Sequence, residues 1–235
     1  KEYEYLKKLD PDLVLVVAYG QIIPEKFLGI AKKGFINIHA SLLPNYRGAA
    51  PIQRAIMNLD KETGISIMKI NPKLDEGPVC NSYKIQIDDK DNAETLSEKL
   101  SLLAAENFLD DIDDILENKA NFKDQNHTKA TYAKKIDKKE ASIDWNISAE
   151  NIIANINGLN GSYFFFKGVR YKILKAELGY SIGKAGEIVS DKLEIACKER
   201  SIKILTIQRE GKRPQKVSEF LLGSQIKKGL ILNNA

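Results

Sequence analysis

The 235-residue sequence predicts an α/β domain with a mostly parallel sheet, followed by a small β-barrel domain. Three observations carry that expectation. Apolar β-branched runs alternate with helical stretches through the first 118 residues, the rhythm of strand–helix–strand units. A polar stretch, "KANFKDQNHTKATYAKKID", then breaks the rhythm. Beyond it, short strands follow one another with Gly or charged turns between them, as in a barrel or sandwich. The predicted organisation is therefore 1–118, a linker at 119–137, and a second domain over 138–235.

Each element has a local reason. "DLVLVVAYG" (12–20) is a continuous run, as expected of a parallel strand buried on both faces. "PEKFLGIAKKG" (24–34) has Pro near its start and Gly after its end, the asymmetry of a short helix. A strand at 35–39, the turn "SLLPNYRG" and a helix from about Pro51 follow. "TGISIMKI" (63–70) is the next strand, and "VCNSYKIQI" (79–87) alternates like an antiparallel or edge strand. A long amphipathic helix runs from about Asn92 to Glu117, with Leu96, Leu100, Leu103 and Phe108 on its apolar side. In the second half, "SAENIIANING" (148–158) is a helix capped by Ser148. The strands "GSYFFFKGVRYKILKAEL", "GEIVSD", "KLEIACK" and "SIKILTIQRE" come next, and "KVSEFLLGS" supplies a last helical turn.

The chain opens at Lys1, in a stretch that leads into the first strand, so about two further βα units of roughly 30 residues each are expected before it. No apolar run approaches the ~18 residues that span a bilayer, so no membrane partner is expected. Cys80 and Cys197 lie far apart without a metal-like spacing, which points to a reduced, cytoplasmic protein without structural metal. Residues 1–118 carry 14 Lys and Arg against 20 Asp and Glu, a net of −6, whereas residues 119–235 carry 22 against 12, a net of +10. A basic second half suits a polyanion partner, although a solvated lysine-rich surface explains the charge equally well.

Chemistry gathers in "GFINIHASLLPNYRGAAPIQ" (34–53). Asn37 and His39 share one face of a strand because side chains alternate with period two. They sit at its C-terminal end, where open α/β sheets bind ligands. Asp75 lies in the loop after the next strand, where neighbouring strand ends would bring it near His39. Asn and His can donate to a developing oxyanion, and the carboxylate orients or charges the imidazole. No Ser or Cys is placed as a nucleophile, so the attacking group is expected on a substrate. The structural alternatives are a satisfied buried pair, a simple turn at Asp75, and surface roles for Tyr46 and Arg47.

The string "NIHASLLPNYRGAAPIQRAI", with "LDEGPV" some thirty residues later, resembles the folate-dependent formyltransferases. "VVAYGQIIP" and "TGISIMKI" add to the likeness. The resemblance implies a Rossmann-like formyltransferase domain with Asn37, His39 and Asp75 as its catalytic set. It assigns Ser41, Leu42, Leu43 and Pro44 to contact with the folate co-substrate, 10-formyltetrahydrofolate. "GAAPIQRAI" and "ATYAKKIDKKEASIDW" (130–145) resemble the branch that acts on methionyl-tRNA. That branch implies an OB-like second domain that helps hold initiator tRNA, a cytoplasmic location and a monomer. The alternatives are a family member acting on a sugar-nucleotide amine and a non-catalytic RNA-binding relative. One departure concerns "GLNGSYFFF" (158–166), where relatives carry an Asn-Pro-Trp-Pro-like stretch.

Overall fold

The computed structural model describes residues 1–233. They form two compact units, one made of residues 1–54, 61–89 and 95–135, the other of 55–60, 90–94 and 136 onward.

The first unit opens with helix α1 (Glu2–Lys8) and strand β1 (Val14–Val17). Helix α2 is a single turn, Glu25–Leu28, entered through Pro24, and strand β2 is Phe35–His39. Then come the short β3 (Arg47–Gly48), α3 (Pro51–Met57), β4 (Glu62–Lys69), β5 (Val79–Gln86) and α4 (Ala93–Leu116). The sheet order is β1-β2-β4-β5. Only β1 and β2 are parallel; β4 runs antiparallel to β2, and β5 antiparallel to β4. The expected mostly parallel sheet is thus a mixed one. The connection from His39 at the end of β2 to Glu62 at the start of β4 is long enough to run either way, so its length does not decide the strand direction. Hydrophobic periodicity carries no information about that direction.

Strand β1 also differs from its expectation. Leu15 and Val17 are 41 % and 56 % exposed, so the run is covered on one face only. Strand β2 is the central element, with Phe35, Ile36 and His39 buried. In α4, Leu96, Leu100 and Phe108 are buried while Leu102 and Leu109 face outward, the amphipathic stripe expected of this helix. Residues 119–135, expected as a linker, fold onto this unit. Strand β6 (Tyr132–Ala133) pairs in parallel with β3, and Lys123 exchanges both backbone hydrogen bonds with Val79 at 2.9 Å.

In the second unit, Ser148 accepts from the Asn151 amide at 3.3 Å and caps helix α5 (Ala149–Gly158). Strands β7 (Ser162–Phe166), β8 (Val169–Gly179), β9 (Ile188–Ser190), β10 (Glu194–Ala196), β11 (Ser201–Arg209) and β12 (Gln215–Lys216) precede helix α6 (Val217–Leu221). The sheet runs β7-β8-β11-β10-β9 with β12 on β11, all antiparallel. Among the described residues β7 and β9 do not pair, so the sheet stays open rather than closing into a barrel. Its core packs Trp145, Ile152, Ile156, Phe164, Ile173, Ile195 and Ile204. The short connection at 159–161 is closed tightly: Gly161, at φ +110°, donates to the Ile156 carbonyl at 2.7 Å and leads straight into β7. A Cβ on Gly161 would lie 2.9 Å from the Ile173 carbonyl, so a side chain there has no room.

Candidate active site

His39 ends β2 with its ring almost wholly buried. Its Nε2–H donates to the Tyr46 carbonyl at 2.9 Å, and its Nδ1 stands 3.7 Å from Asp75 Oδ2. The same carboxylate oxygen accepts the Gly48 amide proton at 2.7 Å. Asn37 lies two residues back on the same strand face, half-buried, and its amide makes no hydrogen bond with any described residue. The predicted trio is therefore brought together in one of its pairs directly, with a free amide on the same face.

Asp75 arrives by a route other than the expected one. Because β4 is antiparallel to β2, Ser66 faces His39 and Lys69 faces Ile36, so β4 ends at the far end of β2. The loop after it folds back, with Asp75 itself at φ +49°. Tyr46 at φ +58° and Gly48 at φ +117° turn the opposing loop. Asp tolerates the left-handed region better than most residues, and surrounding hydrogen bonds hold it there.

Those bonds come from Arg47 and Gln125. The Gln125 amide donates to the carbonyls of Asp75 at 2.8 Å and Gly77 at 2.7 Å. Its oxygen accepts from Arg47 Nε at 3.1 Å and Nη2 at 2.8 Å. Arg47 is 1 % exposed, donates also to His127 Nδ1 at 3.1 Å, and lies 3.4 Å from Glu76 Oε1. A buried guanidinium with a carboxylate and a shared amide oxygen is a paired charge, which burial permits. The surface reading of Arg47 is thereby replaced. Neither partner was visible in sequence, because Gln125 and His127 sit in the stretch read as a linker.

The segment Ser41–Pro44 is fixed from behind. Ser41 is fully buried and its hydroxyl donates to the Asn45 carbonyl at 2.6 Å. Ser66 Oγ donates to the Ser41 carbonyl at 2.8 Å and accepts the Leu43 amide at 3.0 Å, which leaves Ser82 to donate to it at 3.0 Å. The Leu43–Pro44 peptide is cis, and the Pro44 carbonyl accepts from Thr131 at 3.2 Å. Ser41 is thus a structural member of this turn. Leu42, Leu43 and Pro44 keep partly exposed apolar surface beside the His39 end of β2. Among the described residues no group of three or more His, Cys, Asp or Glu stands together as a metal site.

A half-buried amide donor, an imidazole and a carboxylate beside an apolar rim suit addition of a nucleophile to a carbonyl. Comparisons with known proteins identify the family. Residues 2–112 match the model of the formyl transferase family, and residues 135–225 match that of its C-terminal domain. The chain is 63 % identical to a methionyl-tRNA formyltransferase from Pelagibacter ubique, over all of this chain and 77 % of the relative. It is 43 % identical to the enzyme so named from Thermodesulfovibrio yellowstonii, over 96 % of this chain and 74 % of that one. Among solved structures, methionyl-tRNA formyltransferase from Clostridium thermocellum superposes with a TM-score of 0.63 at 22 % identity, covering 74 % of this chain and 76 % of that one. HypX from Aquifex aeolicus in complex with tetrahydrofolic acid gives 0.72 at 14 % identity, covering 100 % of this chain and 44 % of that one, a likeness of fold. A 63 % identical relative, covered over 77 % of its own length, shows the family, and the two domain models fit it: the chain belongs to the formyl transferases.

Proposed function

We propose that this enzyme transfers a formyl group from 10-formyltetrahydrofolate to the α-amine of methionyl-tRNA, in the cytoplasm and as a monomer. The 63 % identical relative of that name supports the substrate pair. The observation that carries the chemistry is the Asp75 carboxylate, held by the Gly48 amide at 2.7 Å and facing His39 at 3.7 Å, next to the free amide of Asn37.

The neutral amine attacks the formyl carbon, the bond from that carbon to the folate nitrogen breaks, and the amine proton ends on that nitrogen. Asn37 donates to the oxyanion of the tetrahedral intermediate, and such a donor is worth about 2.7–4 kcal/mol. Asp75 relays the proton, directly or through water, and His39 stabilises the charge that develops beside it. Leu42, Leu43 and Pro44 hold the folate against the strand end, and their apolar surface keeps bulk water from the reacting carbon. The basic second unit, read as an OB-like module, holds the tRNA.

Formyl transfer to charged initiator tRNA with a folate donor tests the proposal. Activity that falls at least ~10²-fold in Asn37→Ala, with folding unchanged, is the expected result. Near-normal turnover in Asn37→Ala and in Asp75→Asn would overturn the assignment.

A further inference from the structure

His127 stands outside the His39–Asp75 pair and takes no part in the proposed chemistry. Its ring is more than half exposed, yet its Nδ1 lies 3.1 Å from Nη2 of the almost fully buried Arg47. A guanidinium only donates, so Nδ1 is the acceptor. The bond therefore exists only while Nδ1 carries no proton and the ring proton sits on Nε2. The same Nη2 donates to Gln125 Oε1 at 2.8 Å, and Gln125 in turn donates to the carbonyls of Asp75 and Gly77. One chain of hydrogen bonds thus runs from a solvent-facing imidazole to the backbone of Asp75. The charges around the ring sharpen this dependence. Arg47 Nη1 stands 3.4 Å from Glu76 Oε1, while Lys73 Nζ at 3.7 Å and His127 Nδ1 at 3.8 Å face the other oxygen of the same carboxylate. On the ring's own segment the charged residues beside it are Asp124 and Lys129, both exposed.

Protonation of His127 changes two things at once. It sets a donor against Arg47 Nη2 where an acceptor stood, and it adds a third cation to a carboxylate already shared by two. The imidazolium is drawn to Glu76 and repels the guanidinium, so Arg47 shifts against Gln125, whose oxygen it also holds through Nε at 3.1 Å. We infer that His127 is a positioning residue for formyl transfer. Neutral, it keeps Arg47 on Gln125 and so keeps Asp75 against His39; protonated, it slackens the Asp75 loop. An imidazole changes charge between roughly pH 5 and pH 8. Turnover therefore gains an acid limb that belongs neither to His39 nor to the substrate amine. The inference rests on the formyl-transfer reading and adds to it a residue that acts through Arg47 and Gln125.

The test compares kcat for formyl transfer to methionyl-tRNA, across about pH 5.5 to 8, in the full chain, His127→Asn and His127→Lys. Asn places a neutral acceptor where Nδ1 stands, and Lys fixes a cation there. The ratio of parent to His127→Asn cancels the titration of His39 and of the amine, which both proteins share. It should lie near one at the alkaline end and fall on the order of tenfold at the acid end, as a small misplacement of a reacting group allows. His127→Lys should run on the order of tenfold below the parent even at the alkaline end, with KM for both substrates nearly unchanged. The Gly48 amide, which donates to Asp75 Oδ2 at 2.7 Å, gives a readout independent of turnover. Its hydrogen exchange should be several-fold faster in the parent than in His127→Asn at the acid end, and equal in the two at the alkaline end. A flat kcat ratio, equal Gly48 exchange throughout, or a lysine variant as fast as the parent would each overturn the role. If the parent transfers no formyl group while the exchange difference appears, the proposed function fails and the positioning role stands. The thermal midpoints of both variants, compared with the parent, show that the fold is kept.

Discussion

The Asp75 carboxylate and the His39 imidazole stand 3.7 Å apart, and the oxygen that faces the ring is the one bonded to the Gly48 amide. That shared oxygen sets the geometry of the pair from outside it. Asp75→Asn keeps an acceptor for Gly48 but removes the charge beside His39. Turnover in formyl transfer should drop by about 10²–10⁴-fold, the range for a positioned acid–base group, while the melting temperature stays close to that of the parent. A drop in melting temperature as large as that of Asp75→Ala would mean that the carboxylate is structural.

Gln125→Ala tests the support behind the pair. It frees the carbonyls of Asp75 and Gly77 and takes from the buried Arg47 the oxygen that accepts two of its donors. The cost should be about 2–4 kcal/mol, from lost hydrogen bonds to a charged group left buried. Because Gln125 positions the Asp75 loop, kcat should also fall at a temperature where the variant is fully folded, with KM for tRNA unchanged. Lower stability with an intact kcat would leave Gln125 a purely structural residue.

The parts of the site legible in sequence were those fixed by local geometry. Strand parity alone put Asn37 and His39 on one face, and the turn residues after them marked the strand end. Arg47 was illegible because its burial depends on Gln125, 78 residues away in a polar stretch with no periodicity. Parallel strand ends would place Asp75 beside His39, yet β4 is antiparallel and Asp75 reaches His39 through the loop that folds back after it. In the second unit the strands and the Ser148 cap follow from alternation and capping chemistry, while closure of the sheet is a long-range property that no short window encodes.

Gly64 in β4 ties the sheet to the proposed folate segment. A Cβ there would collide with the Tyr83 carbonyl of the paired strand and would lie 2.6 Å from Leu42 Cδ2. Gly64→Ala should therefore push Leu42 outward or spread β4 from β5. Overpacking of this kind costs about 1–3 kcal/mol. Folate KM should rise more than tRNA KM, because Leu42 belongs to the segment assigned to the folate. Equal changes in both constants would argue against that assignment.

Glu194 gives a pH signature confined to the second unit. Burial alone would raise its carboxyl, but its oxygen accepts from the Ser201 hydroxyl at 2.6 Å and the Ser181 amide at 3.2 Å. With the Lys203 charge adding to these bonds, they hold it below its ordinary value of 4.5. A carboxyl depressed on folding stabilises the protein above its unfolded pKa, and that contribution is lost as pH falls through the folded value. Denaturant unfolding between pH 6 and pH 3 should show stability falling on the acid side of about 4.5. Glu194→Gln keeps an acceptor for Ser201 but cannot titrate, so its curve should be less steep in that window and lie below the parent's at neutral pH. Parallel curves for the two proteins across the window would show that the Ser201 and Ser181 bonds do not act through the charge of Glu194.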